Sequence, residues 1–207
     1  MHPNPIFHDA TTSRNIAFAR ARAFGVLVVA APDGPHVSHV PFLLSDDAAT
    51  TDLHLVRSNP IARMGEGMHD AKIVVSGPDS YVSPDWYGIK DQVPTWNYIA
   101  VHLTGRLERL PQDTMREMLD RQSAAYEEQL APKALWTTDK MTPEVLEKMM
   151  RMILPYRFTL TGVDGTWKLG QNKPDDVRVA ASSEMADHGI GSDVAVIASM
   201  MGRLDHT

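Results

Sequence analysis

Arg57-Ser58-Asn59-Pro60, with Arg63 one turn further on, is the first segment of this sequence equipped for chemistry. Asparagine as N-cap and proline at the first helical position predict a helix start directly after a strand-like run. Free backbone N–H groups and the positive end of a helix dipole favour an anion at such a place. Arginine adds planar, bidentate donors suited to phosphate. A plain capped helix with two solvated arginines would use the same residues.

A second concentration lies in residues 81–98, where Tyr81, Trp86, Tyr87, Trp96 and Tyr98 are interleaved with Ser83, Pro84, Pro94, Thr95 and Asn97. Flat apolar walls with a few fixed polar groups suit a planar heteroaromatic ligand. Core filling or a dimer seam would recruit the same side chains. The third segment, Trp167-Lys168-Leu169-Gly170-Gln171-Asn172-Lys173, reads as a loop that follows a strand and an Asp164-Gly165 turn. Gln171 and Asn172 can each donate and accept, so they can pair with a ring edge bearing carbonyl and imide groups. A polar loop over a packed indole is the alternative.

The nine histidines assign no metal. His36 and His39 stand three apart on a predicted strand and so point to opposite faces. His39, His54 and His102 fall on predicted strands. Neither a His-Glu-x-x-His pair, a nucleophile elbow nor a Gly-rich phosphate loop occurs, no acid–base pair stands out, and no catalytic residue is assigned.

The elements that must position these groups belong to a chain of 207 residues, 43% hydrophobic and 22% charged, with no cysteine. Such a length predicts one globular domain over residues 1–207 with no need of a disulfide. Missing cysteine removes thiol catalysis and thiolate metal sites, and fits a reducing compartment. With no apolar run of about 20 residues and no leader-like N-terminus, a soluble, cytoplasmic protein is expected, without a membrane partner. The net charge of −6 argues against nucleic acid as the main ligand.

Residues 23–30 form an apolar run ending at the turn Pro32-Asp33-Gly34-Pro35, and residues 36–44 and 52–57 carry strand character. Residues 72–76 read as a buried strand. In residues 95–107, Asn97, Ile99, Val101, Leu103, Gly105 and Leu107 alternate as one face. Met115, Met118, Leu119, Gln122 and Tyr126 fall at helical spacing. Thr142-Pro143-Glu144 starts another helix with Leu146, Met149 and Met150. Residues 157–163 return to strand, and two helices occupy about 174–202. The order predicts a mainly β, α+β fold: a small antiparallel barrel with added helices.

Taken together the segments resemble the PaiB-type FMN-binding negative transcriptional regulators. The resemblance is carried by Ser38-His39-Val40-Pro41-Phe42 and Arg57-Ser58-Asn59-Pro60, then by residues 76–87 and Val93-Pro94-Thr95-Trp96-Asn97-Tyr98 with Val101-His102, and last by Trp167-Lys168-Leu169 with Gln171-Asn172. It implies an antiparallel split β-barrel of the FMN-binding type, FMN as cofactor and a homodimer with flavin sites at its interface. On that likeness Arg57, Ser58 and Asn59, with Arg63 beside them, hold the FMN phosphate, and Ser38 and His39 lie near the flavin. Tyr81, Trp86, Thr95, Trp96, Asn97, Lys168, Gln171 and Asn172 complete the site, from the same or the partner subunit. Gly170 and Lys173 depart from the family pattern, which has a serine and an arginine there. The resemblance implies a negative transcriptional regulator acting indirectly or as a flavin-dependent sensor. A flavin-dependent oxidoreductase of a small molecule and, more remotely, a haem-handling split-barrel protein share the fold, and whether the chain is an enzyme stays open.

Residues 175–207 imitate a helix-turn-helix. They carry six acids, Asp175, Asp176, Glu184, Asp187, Asp193 and Asp205, against Arg178 and Arg203. Its second helix begins at Ser192-Asp193 and has no basic residue inside, so tight autonomous DNA binding is not expected.

Overall fold

The computed structural model describes residues 1–204. The final three residues, Asp205 among them, lie outside the described part. Seven strands, β1 (Phe24–Val29), β2 (His36–Pro41), β3 (Leu43–Leu44), β4 (Thr50–Val56), β5 (Met68–Val82), β6 (Thr95–Arg109) and β7 (Ile153–Lys168), form one antiparallel sheet curled into a half-barrel, in the order β2-β1-β5-β6-β7-β4-β3. The helices are α1 (Thr12–Arg22), α2 (Pro60–Arg63), α3 (Met115–Glu127), α4 (Pro143–Met150), α5 (Asp175–His188) and α6 (Val194–Gly202). The chain divides into two compact units.

One unit comprises residues 19–75 and 103–163 and contains part or all of every strand. Its core follows the alternation read from sequence: Leu103, Gly105 and Leu107 of β6 are all buried. Gly105 has a steric reason. A Cβ there would lie 2.1 Å from the backbone oxygen of Thr159 on β7, so only glycine fits. Met115, Met118 and Gln122 bury one stripe of α3, as their spacing predicts. Gln122 Nε2 donates to the Asp52 carbonyl at 2.8 Å, and Tyr126 Oη donates to the Phe42 carbonyl at 2.9 Å. In α4 only Leu146 is fully buried, while Met149 faces solvent, a correction to the expected apolar face.

The other unit comprises residues 1–18 and 76–102 and the residues from 164 onward. Its core joins Val82, Ile99, Trp167 and Leu169 at the strand ends to Val177, Ala181 and Met185 of α5 and Ile197, Ala198 and Met201 of α6. The link between α5 and α6 pairs with β5: Asp79 N–H donates to the Ser192 carbonyl and Tyr81 N–H to the Ile190 carbonyl, each at 2.9 Å.

β5 runs over 15 residues where only 72–76 were expected as strand, and two further elements differ from expectation. β7 does not turn at Asp164-Gly165 but continues to Lys168, so Trp167 and Lys168 are strand residues. Gly165 is there because an added Cβ would lie 2.1 Å from Asn15 Oδ1 on α1. Helix α1 itself is the second, absent from the periodicity and capped by Thr11, whose Oγ1 accepts Arg14 N–H at 3.2 Å.

Candidate functional site

The residues expected to surround the cofactor fall into two groups, one in each unit. In the strand-rich unit, β2 and the start of α2 bring Ser38 and Asn59 together. Asn59 Oδ1 accepts Ile61 N–H at 2.9 Å, the expected N-cap, and its Nδ2 donates to Ser38 Oγ at 3.0 Å. Helix α2 is four residues long, so its dipole is small and the charge at this place comes from arginine. Arg57, exposed at the end of β4, gives Nη2 to Gln112 Oε1 at 3.0 Å and Nε to the Arg151 carbonyl. Ser58 and Arg63 are exposed as well, and exposed His39 stacks on Phe24 with ring centroids 6.3 Å apart.

Neither Arg57 nor Arg63 has a carboxylate partner among the described residues. A 640 Å³ cavity lies beside α2; Pro60, Arg63, Met64, His36 and His69 are on its wall, with Asp33, whose carboxylate lies 3.5 Å from His36 Nε2. One lining atom, His69 Nε2, is buried without a hydrogen-bond partner. On this wall Arg63 supplies a guanidinium without a carboxylate partner among the described residues and His69 an unpartnered ring nitrogen, donors that fit a phosphate oxygen. Arg57 stands on the other side of the Asn59-Pro60 turn and is not part of the lining.

In the other unit the aromatic block divides by role. Tyr87 is buried, and Trp86 packs on the edge of the core. Tyr81 meets Trp96 edge-on at 6.2 Å, and Trp96 remains 47% exposed. Thr95 Oγ1 and the Trp96 carbonyl (2.7 Å) both accept from Lys168 Nζ. Burial, then the charge of Lys173, pushes the Lys168 ammonium below the usual lysine range. Asn97 is buried, with Nδ2 donating to Met201 Sδ at 3.1 Å.

The Gln171 amide is occupied by its own loop and by the N-terminal segment. Oε1 accepts Leu169 N–H at 2.8 Å, and Nε2 donates to the carbonyls of Trp167 at 2.6 Å and Ile6 at 3.2 Å. In the described residues it is therefore a loop staple, while exposed Asn172 lines the same cavity as Lys168. Gly170 has φ +79°, the left-handed region that favours glycine. Sequence reasoning did not find Arg14, whose guanidinium lies 4.1 Å from the Trp167 ring centroid, nor Asn15, which accepts the indole N–H at 2.7 Å. The signal lay in α1, which has no apolar periodicity. Among the described residues no cluster of His, Asp or Glu could hold a metal ion, and no helix is long and apolar enough to cross a membrane.

The family model described as "Putative FMN-binding domain" matches residues 1–162. Lys168, Gln171 and Asn172 lie beyond that match. The chain is 31% identical over 172 residues to the protease synthase and sporulation protein PAI 2 of Bacillus subtilis, covering 82% of each chain. It is 37% identical over 98 residues to an uncharacterized protein of Saccharomyces cerevisiae, covering 42% of this chain and 58% of that one. Among solved structures it resembles an FAD and haem binding protein of Mycobacterium smegmatis, with TM-score 0.58 and 16% identity over 90% of this chain and 82% of that one. The flavocytochrome Anf3 of Azotobacter vinelandii gives 0.55 and 11% over 81% and 72%. These likenesses establish the split-barrel fold and, with the family match, FMN as the cofactor. The chain belongs to the FMN-binding domain family and is a relative of the Bacillus PAI 2 protein.

Proposed function

We propose that the chain is a flavin-dependent sensor with a negative regulatory role, holding FMN by its phosphate at Arg57 and the Asn59-Pro60 turn. The observation that carries this reading is the pair of arginines, neither with a carboxylate partner among the described residues, on either side of the capped Asn59-Pro60 turn, with Arg63 on the wall of a 640 Å³ cavity. Bound FMN supplies the redox chemistry. The chain's own work is to bind and orient: Arg57 and Arg63 offer charge-assisted donors, Ser58 a hydroxyl, and the Asn59–Ser38 hydrogen bond fixes the turn against β2. The regulatory part draws support from the resemblance to the PaiB-type negative transcriptional regulators and from the 31% identity to the Bacillus PAI 2 protein.

The deciding experiment is the visible spectrum of the purified protein followed by an FMN titration of Arg57→Ala. Flavin bands are expected, and loss of one charge-assisted contact should weaken FMN by about ten- to a hundredfold. Unchanged affinity in a folded variant overturns the phosphate assignment. A Soret band in place of flavin bands moves the protein to haem handling, and steady turnover of a reduced nicotinamide nucleotide moves it to the oxidoreductases.

We further propose a homodimer whose interface overlaps the flavin site. Val93 (73% exposed), Ile190 (66%) and Trp96 are large apolar side chains left open to water in one unit, and aromatic residues are enriched at interface cores. Light scattering at micromolar concentration should return twice the chain mass of 22.9 kDa. A monomer removes this reading.

A further inference from the structure

A cavity of about 230 Å³ opens between Phe7, Tyr87, Thr95, Asn97, Lys168 and Lys173. It is smaller than the roughly 300–1,000 Å³ that drug-sized ligands and cofactors need, so it can take only a small group. Its charge is one-sided. Lys168 Nζ donates to Thr95 Oγ1 and the Trp96 carbonyl, and Lys173 Nζ donates to Gln92 Oε1, all of them neutral acceptors. No carboxylate lines the cavity, and neither lysine forms an ion pair among the described residues.

The remaining walls add donors and dry surface. His2 accepts Asn4 N–H at Nδ1 (3.1 Å), which leaves Nε2–H as a donor on the cavity wall. The ammoniums lie 5.9 Å from the Phe7 centroid and 5.2 Å from the Tyr87 centroid. Ring faces attract cations but do not neutralise them. Two partly buried ammoniums facing one cavity without an acid repel each other, and a bound anion relieves both the repulsion and the desolvation.

We propose that this cavity is a subsite for a small oxyanion, the carboxylate or phosphate group of a second ligand, distinct from the flavin phosphate at Arg57. Only the word "distinct" rests on the flavin reading given above. The ligand class follows from the walls: two ammoniums for charge, side-chain amides of Asn97 and Asn172 for direction, and room for little more than the oxyanion and a short stem. A sensor would read such an anion as its signal, and an oxidoreductase would hold its substrate by it.

The test uses inorganic phosphate at constant ionic strength, titrated calorimetrically into the full chain with and without saturating FMN. Lys173→Gln and Lys168→Gln are compared with Arg57→Ala, each checked by circular dichroism. Phosphate should bind in both states and weaken about tenfold or more in each lysine variant; with FMN saturating, so that the Arg57 site is filled, its affinity should be untouched in Arg57→Ala. Lys173 is the safer variant, since its side chain is only half-buried at the end of a loop. Absence of phosphate binding, unchanged affinity in a folded Lys173→Gln, or displacement of all bound phosphate by FMN overturns the inference. The flavin reading fails separately: Arg57→Ala would then leave FMN affinity unchanged while phosphate still responds to the lysine variants.

Discussion

Asp52 has a side chain only 6% exposed, with three guanidinium nitrogens on its two oxygens. Arg157, its register partner across β4 and β7, donates Nε to Oδ1 at 2.8 Å and Nη2 to Oδ2 at 3.1 Å, and Arg121 of α3 donates to Oδ2 at 2.7 Å. Burial alone would push this carboxyl up. The hydrogen bonds and charges of Arg157 and Arg121 together outweigh it and hold the group below the usual carboxylate range. A folded-state value lower than the unfolded one, near 3.9, stabilises the fold fully above that value, and the gain is lost as pH falls through the folded value. Asp52→Asn should therefore destabilise at neutral pH by about 1.5 kcal/mol, the low end for charged hydrogen bonds because both arginines keep water contact. Urea unfolding should show the gap between wild type and variant closing as pH drops from about 5 towards 2. No gap at pH 7 removes the ion triad from the stability of the fold. Nothing local in the sequence marks this group, since Asp52 and Arg157 meet only through strand register. Asn59 as an N-cap, by contrast, was legible because a cap and the proline that follows it are written in adjacent residues.

Helix α1 and strand β7 meet where neither announced itself. An Asp-Gly pair favours turns by composition, yet Gly165 sits inside a strand with Asn15 against its α-carbon. Asn15 Oδ1 accepts the N–H of Trp167, an indole only 5% exposed, so one missing side chain lets a helix reach the strand and satisfy a buried donor. Gly165→Ala should displace Asn15, leave that N–H unpaired and cost about 1–3 kcal/mol. Thermal unfolding and the tryptophan emission maximum both read this out, and an unshifted melting point with unshifted emission refutes it. Helix α1 was hidden because Ile16, Ala17, Phe18 and Ala19 are contiguous rather than spaced by a turn, and its helicity draws on alanine and arginine propensity. Where spacing was regular, as in β6 and α3, the element, its face and its buried residues were all legible. Across β7 the sequence showed a strand but not its length, because contact with a helix remote in the chain decides whether a glycine bends or continues it.

At the scale of the whole molecule, the proposed regulatory role raises the question of DNA, and what the last two helices leave exposed bears on it. A recognition helix needs Arg, Lys, Asn or Gln on its open face near the N-terminus. In α6 the residues that face inward are Ile197, Ala198 and Met201, all in the core. The outward residues are Ala195, Val196 and Ser199, none able to read a base edge bidentately. Asp193 precedes the helix with φ +53°, an acid where a phosphate would have to approach. Arg178, one of two arginines in this region, is buried and tied to Asp175 and the Met201 carbonyl. The second, Arg203, stands alone against the acids Asp176, Glu184 and Asp187. Binding driven by counterion release needs several cations on one face, and none is assembled here. On the proposed reading a regulatory effect runs through a partner or through the flavin rather than through these two helices. Fluorescence anisotropy with a promoter fragment at about 0.15 M salt should give no affinity near 10⁻⁸ M, the level specific binders reach or exceed. Adding FMN should not change that result. Tight binding in either state would require a basic surface that this pair of helices does not present, and would overturn the indirect mode of action.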